Sequence, residues 1–134
     1  MNERLPKFKG QELLAEIEKS TKGLTYISET DGEVEPVFVD SSEAENFLDS
    51  IGKDEKGETL DPSAFFYRLT TKKEWFGQKE DERARKFALL EEILQANLRD
   101  LKVIRVGRIR IDIYVVGFDI DGNLAGIKTK AVET

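Results

Sequence analysis

The sequence predicts an α+β fold, in which helices cover a sheet of antiparallel strands. Two observations support this class. Between residues 11 and 98 the apolar residues recur mainly at helical spacing, whereas residues 103–132 alternate with a period of two. A sheet with an apolar face must bury that face against another layer. We therefore expect the helices to pack on the terminal sheet, in two or three layers.

The first predicted elements are one helix and two short strands. Residues 11–22 place their apolar side chains on one helical face, and Gly23 follows as a C-terminal cap. Residues 24–27 and 37–39 are apolar and β-prone, and we interpret both segments as strands. The acidic residues between them, 28–35, are predicted to form a loop.

Capping signals predict three short helices in the middle of the chain. A side-chain oxygen that accepts hydrogen bonds from the first turn starts a helix, and Pro fits into that turn. The signals are Ser42 with Glu45, Asp61 with Pro62, and Thr71 with Glu74. We expect the last of these helices to carry Trp75 and Phe76, and residues 52–59 to form a charged loop.

The most regular prediction is a long helix over residues 80–100, followed by strands. Its apolar positions are Phe87, Leu90, Leu94 and Leu98. Residues 103–106 form the next predicted strand, and a turn at Gly107 follows. The alternating apolar residues of the second strand are Ile109, Ile111, Ile113 and Val115. An Asp-Gly hairpin signal within residues 119–123 then leads into a last strand over residues 124–132.

Composition limits the chemistry that this chain can perform. None of its 134 residues is Cys or His, which excludes disulfides, thiolate nucleophiles and the commonest general base. Carboxylates, Lys, Tyr and carboxylate-bound Mg or Mn remain as options, so the composition disfavours an enzyme without excluding one. The length favours a single domain over residues 1–134, with residues 1–10 as a flexible lead. No apolar leader or membrane-length run is present, which favours a cytoplasmic location.

Charge is distributed unevenly along the sequence. Residues 28–61 carry twelve acidic and two basic side chains, a net charge of −10, whereas the rest of the chain carries +4. An acidic segment repels nucleic acid and attracts basic partners, so it favours binding to a basic protein that handles DNA or RNA. A solvated acidic loop kept for solubility is the alternative.

Four carboxylates alternate along this acidic segment: Glu29, Asp31, Glu33 and Glu35. Carboxylate oxygens are ligands for a hard divalent cation, although the spacing does not fit an EF-hand. The same cluster would also complement a basic cleft on a partner protein, which speeds encounter and rejects wrong partners. We favour the second interpretation.

Trp75 is the only tryptophan, and Phe76 and Gly77 follow it. On a short helix that ends in Gly, one of two adjacent aromatic side chains should point outward. An exposed Trp is a frequent interface anchor, whereas a buried one would complete the core. The residues alone leave both interpretations open.

Basic side chains lie on the predicted terminal strands, at Arg105, Arg108, Arg110, Lys128 and Lys130. Nucleic-acid binding by a basic sheet normally needs stacking aromatics beside the charges, and only Tyr114 is available. A solvated sheet face is therefore favoured. The strand pattern continues almost to the end of the sequence, at Glu133 and Thr134. There, the α-carboxylate and the Thr hydroxyl would form a small all-oxygen ligand suited to a hard metal ion.

Three segments resemble the nuclease A inhibitor family of bacteria. They are KGLTYISET at residues 22–30, FFYRLTTKKEWFG at residues 65–77 and YVVGFDIDGNLAGIKTKAVET at residues 114–134. The resemblance runs from about Leu13 to Thr134 and is weakest across residues 33–60. Members of this family block sugar-nonspecific DNA/RNA endonucleases of the metal-dependent ββα type.

The resemblance implies a fold and a set of interface residues. The fold would be an α/β/α sandwich around a mostly antiparallel sheet. Glu29 would enter the active-site cleft of the nuclease, Trp75 would contact the nuclease, and the terminal group of Thr134 would reach the catalytic metal. The predicted interface also includes Thr30, Glu33 and Glu133.

The same resemblance implies the partners. The protein would be a monomer that binds a nuclease and is not itself an enzyme. It would have no cofactor of its own and no direct contact with nucleic acid or membrane. The only metal in the complex would be the nuclease's Mg or Mn. Lys128 departs from the family pattern, which favours a small polar residue there. An acidic interaction module for another basic partner is the first alternative, and a carboxylate-metal hydrolase using Glu29, Asp31 and Glu33 is the second.

Overall fold

The computed structural model describes residues 6–52 and 58–134. It contains four helices and seven strands in these ranges: α1 (Gly10–Thr21), β1 (Thr25–Ile27), β2 (Asp31–Glu33), β3 (Glu35–Val39), α2 (Ser41–Gly52), β4 (Glu58–Leu60), α3 (Pro62–Thr70), α4 (Gln78–Asn97), β5 (Arg99–Val106), β6 (Arg110–Phe118) and β7 (Leu124–Val132). The α+β class predicted from the sequence is confirmed. None of the helices in these ranges has the length and apolar character that a membrane span requires.

The main sheet has five strands in the order β3-β7-β6-β5-β4, and every neighbouring pair is antiparallel. β1 and β2 form a separate two-stranded hairpin. This hairpin packs against β7. The last strand in sequence therefore occupies an inner position of the sheet. It pairs with β6 along its full length, and β3 covers residues 124–128 on its other side.

Two hydrophobic clusters lie on opposite faces of this sheet. Because side chains alternate along a strand, Ile113 and Val115 of β6 face one way, and Tyr114 and Val116 face the other. Helices α1, α3 and α4 cover the first face, with Phe66, Phe87, Leu13, Leu90 and Leu94 among their buried residues. Helix α2 covers the second face through Ala44 and its neighbours. The arrangement is a three-layer sandwich.

The turn between β6 and β7 connects the two helical layers. The buried carboxylate of Asp119 accepts a hydrogen bond at 2.8 Å from the N–H of Gly10, at the start of α1. It also accepts bonds from the backbone and side chain of Asn123, whose own Oδ1 accepts from the N–H of Ser41 at the start of α2. Burial raises the pKa of Asp119, but these hydrogen bonds outweigh it and hold the pKa below the ordinary value.

The segment after α3 differs from its prediction. Thr71 and Glu74 were expected to start a helix, but residues 71–77 are not helical. The Thr71 hydroxyl instead donates to the carbonyl of Tyr67 and closes α3. The next helix begins at Gln78, where Glu80 accepts a hydrogen bond from the N–H of Gly77. Trp75 consequently lies in a turn between α3 and α4.

The predicted acidic loop over residues 28–35 is also wrong in part. Asp31–Glu33 form β2, and Glu35 already belongs to β3. Asp, Gly and Glu have low strand propensity, so local pattern gave no signal for β2. Its central Gly32 is buried, and a Cβ there would collide with the carbonyl of Lys130 in β7. Glycine therefore allows the hairpin to lie directly against the β7 backbone.

The boundaries of two helices also differ from the sequence predictions. Helix α2 begins at Ser41, and Asp40 caps it by accepting from the N–H and hydroxyl of Ser42, so the predicted Ser42–Glu45 pair is not the cap. Helix α4 ends at Asn97, before residue 100, and Leu98 already has extended backbone angles, with φ −120° and ψ 140°.

Outside the helices, Ile109 lies in a turn and is 57% exposed, because β6 begins one residue later. Residues 58–59, expected in a loop, lie in β4. The rest of that loop, at 53–57, and the predicted flexible residues 1–5 fall outside the described residues. Residues 6–10 belong to the described part, and there Phe8 packs against the first cluster and its N–H donates to Asn97.

Candidate functional site

Two predicted interface residues meet at one end of the sheet. The Glu29 carboxylate accepts a hydrogen bond at 2.6 Å from the backbone N–H of Thr134 and another at 2.8 Å from the Thr134 hydroxyl. The two residues are 105 positions apart in the sequence. We call this pair the C-terminal clamp. Both donors of Thr134 are thereby satisfied by one carboxylate, and the hydroxyl oxygen keeps its lone pairs available for another ligand.

The β1–β2 hairpin positions Glu29 at this end. Tyr26 is buried and stacks on Phe65 of α3 with ring centroids 5.9 Å apart, which anchors the hairpin in the core. At the hairpin turn, the Ser28 hydroxyl accepts from the N–H of Val132 at 3.0 Å, and the N–H of Glu29 donates to the carbonyl of Val132 at 3.2 Å. The turn is therefore held against the end of β7.

The opposite flank of the tail is held by β5 and by the turn that precedes β6. The N–H of Glu133 donates to the carbonyl of Ile109 at 2.9 Å. Its carboxylate forms an ion pair at 2.7 Å with Arg105, whose guanidinium also lies 3.4 Å from Glu58. The hydrogen bond from Arg105 to Glu133 raises the pKa of Arg105. Residues 132–134 are thus held from both sides.

Electrostatics at the clamp favour the charged carboxylate. Glu29 is exposed, and the backbone N–H of Thr134, followed by its hydroxyl, lowers the pKa of Glu29 below its ordinary value. Glu29 is ionised at neutral pH and acts only as an acceptor. With the neighbouring Glu133, the end of the sheet presents carboxylates to solvent.

Thr30 and Glu33, two further predicted interface residues, lie along the same hairpin. Thr30 is exposed, and its carbonyl accepts from the N–H of Ser28. Glu33 is exposed in β2, while its carbonyl accepts from the hydroxyl of Thr129 in β7. Throughout residues 6–52 and 58–134, no group of three or more acidic side chains is arranged to hold a metal ion.

Trp75 is the third residue that the resemblance assigns to the interface. Its side chain is 71% exposed and packs edge-to-face on Phe76, with ring centroids 4.8 Å apart. The alternative that Trp75 completes the core is therefore wrong. Hydrogen bonds join Glu29 directly to Thr134. Trp75 lies in the turn between α3 and α4.

Three relevant side chains had no clear role in the sequence prediction. Ile27 and Ile109 are 44% and 57% exposed and belong to the segments that flank the tail. Arg105 was grouped with the exposed basic residues, but its side chain is only 19% exposed. Its position directly opposite the buried Ile113 places it on the face covered by three helices. In the alternating pattern of β5, Arg105 is a charged residue at a position that should face the core. That signal would have singled out Arg105 from the sequence.

Lys128 lies on the other face of the sheet. Its ammonium group sits 5.4 Å from the ring centroid of Tyr114, the residue directly opposite on β6. Such cation–π contacts are weakly favourable. Arg105 faces the helices α1, α3 and α4, so these two basic side chains belong to opposite faces.

The arrangement defines a class of protein. Its candidate site is an exposed, acidic protein surface built around the end of an inner strand. A family model for nuclease A inhibitor-like protein matches residues 11–134. The chain belongs to this family, whose description suggests a nuclease inhibitor role. A search of curated proteins finds no match.

Proposed function

We propose that this protein is a stoichiometric, non-covalent inhibitor of a metal-dependent, sugar-nonspecific endonuclease, acting in the cytoplasm. The single observation that supports this most strongly is the C-terminal clamp, which joins two predicted interface residues from distant parts of the sequence. Family membership supports the nuclease as the partner.

In this proposal the clamp enters the active-site cleft of the nuclease. The ionised Glu29 takes the place of a substrate phosphate, and the terminal group of Thr134 occupies a ligand position on the divalent Mg or Mn of the nuclease. A metal-dependent nuclease needs that position for substrate or water, so its occupation would block catalysis. The clamp suits the role because the hydroxyl proton of Thr134 points to Glu29 and its oxygen remains free.

Trp75 provides a second anchor in the proposal. Large exposed aromatic side chains often contribute much of the energy of an interface. The exposure of Trp75 and its location in the turn between α3 and α4 fit this function. Two anchors, at Trp75 and at the clamp, would also fix the orientation of the inhibitor on the nuclease.

Charge would bring the two proteins together. The net charge of −10 across residues 28–61 resembles the charge of a nucleic acid backbone. A basic nuclease cleft would attract it, and such steering brings association rates to about 10⁸–10⁹ M⁻¹s⁻¹ at low salt. Raising the salt concentration should slow association, because screening shortens the reach of these charges.

The direct test is a titration of the protein, with nothing attached after Thr134, into a DNA-cleavage assay with the endonuclease from the same organism. We expect cleavage to fall linearly and to stop at one inhibitor per nuclease. Full cleavage at a large excess of the protein would refute the proposal.

An acidic interaction module for a different basic protein is the second candidate. The exposed Trp75 favours it specifically, because an aromatic anchor needs no metal in the partner. Co-purification of a basic protein whose binding survives EDTA, together with unchanged nuclease activity, would support this candidate over the inhibitor.

A further inference from the structure

The tail of the chain is fixed by contacts beyond the clamp. Val132 is the last residue of β7, yet Glu133 and Thr134 both make hydrogen bonds. Chain ends usually fray unless they are tied down. The clamp holds Thr134 on the hairpin side, and Arg105 holds Glu133 on the β5 side. We call the Arg105–Glu133 ion pair the brace.

The partly buried position of the charged Arg105 side chain is energetically unfavourable, and packing alone does not explain it. It occupies a helix-facing position of β5, where the next such residue, Val103, is fully buried. Its Nε is buried and has no hydrogen-bond partner in the described part of the chain. Moving a guanidinium out of water is unfavourable unless charged partners offset it. The partners here are Glu58 and Glu133, and one of them belongs to the tail.

The brace is a short ion pair, at 2.7 Å, and Arg105 is the better-buried partner. A guanidinium held by two carboxylates has little freedom, so it gives Glu133 a fixed attachment point. The N–H of Glu133 is fixed as well, by the carbonyl of Ile109. With both its backbone and its side chain held, Glu133 directs the following residue toward Glu29.

We propose that Arg105 is a positioning residue for inhibition: through Glu133 it keeps Thr134 in the clamp, so that the terminal group is preformed before the nuclease binds. This inference rests on the proposed function, since it explains how the metal-directed group is presented. Arg105 itself would not touch the nuclease.

Preformation has a measurable consequence for affinity. Ordering the backbone of one residue costs enough to change an equilibrium constant by roughly tenfold. If loss of the brace frees the tail, binding must restore that order. We therefore expect Arg105→Met, which keeps the apolar stem and removes the charge, to weaken inhibition about tenfold. Arg105→Lys should recover part of this loss, because it keeps a donor for Glu133.

The experiment combines the free protein with the complex. In the free protein, ¹⁵N relaxation of the Thr134 amide should give an order parameter of about 0.85 for the wild type and below about 0.6 for Arg105→Met. Glu133→Gln is the second variant, because Glu133 is half-exposed and its replacement leaves the core intact. The control is Arg108→Met, which removes one positive charge from an exposed turn.

The outcomes separate the two proposals. An ordered Thr134 amide in both Arg105→Met and Glu133→Gln would overturn the brace, whatever the inhibition assay gives. A mobile Thr134 with unchanged inhibition would overturn preformation. If the wild type inhibits no nuclease, the proposed function fails, while the order parameters still decide whether Arg105 holds the tail.

Discussion

Replacement of Glu29 is the perturbation that tests the clamp most directly. Its carboxylate accepts two hydrogen bonds from Thr134, at 2.6 and 2.8 Å, and it carries a negative charge at neutral pH. Glu29→Ala removes both acceptors and the charge. An anchor residue of this kind typically accounts for at least about 30-fold in affinity. We expect a loss of that size in the inhibition constant.

Glu29→Gln separates charge from hydrogen bonding. The two donors of Thr134 bond different oxygens of the Glu29 carboxylate. In this geometry a Gln amide keeps one acceptor oxygen, and the NH₂ group in place of the other oxygen cannot accept. The inhibition constant of Glu29→Gln should therefore lie between those of the wild type and of Glu29→Ala. Glu18→Gln is the matched control, because Glu18 is an exposed carboxylate on α1. We expect it to leave the inhibition constant unchanged.

The assay is a tight-binding titration of nuclease activity with each variant. Circular dichroism should show that all variants remain folded, since Glu29 is exposed. An inhibition constant for Glu29→Ala within threefold of wild type would refute the assignment of Glu29 to the interface. Equal losses for Glu29→Gln and the control would show that only net charge matters.

Three other predictions concern the tail, its pH dependence and the core. Residues added after Thr134 should weaken inhibition at least about tenfold, because they displace the terminal group from the metal; full potency of a C-terminally tagged protein would contradict this. The pKa of Glu29 is lowered from 4.5, so the clamp should be complete above that pH and open as the pH falls through the lowered pKa; a Thr134 amide shift that titrates above 4.5 would contradict it. Asp119→Ala leaves the donors of Gly10 and Asn123 without their acceptor and should lower the free energy of unfolding by about 3 kcal/mol; urea denaturation measures this, and a loss below about 1 kcal/mol would be inconsistent with it.

Periodicity predicted the elements that bury one face and failed where local pattern carries no signal. The long helix and the three terminal strands follow from apolar spacing, and the packing of helices on the terminal sheet was expected. The strand of Asp31–Glu33 was missed, because its stability comes from pairing with β1 and contact with β7. The Thr71 cap was misassigned, because its hydroxyl serves the helix before it.

The candidate site was predictable only in part, for the same reason. Physical arguments from the residues singled out Glu29 as one carboxylate among several and Thr134 as an unusual terminus, while the resemblance assigned them to one interface. Their hydrogen bonds span 105 positions, and no local pattern encodes such a contact. Arg105 was overlooked because its burial depends on the helices that pack over β5.

The separation of Glu29 from Thr134 determines what a fragment of this protein can do. Each half of the clamp is held by a different hydrogen-bonded segment, so a synthetic peptide copied from either one lacks the other half and the sheet that aligns them. Activity would then require the intact tertiary structure. In a one-to-one mixture of the inhibitor and the nuclease, the nuclease activity would report the fraction of inhibitor that is unfolded. Heat, protease or denaturant would release the enzyme in step with unfolding of the inhibitor.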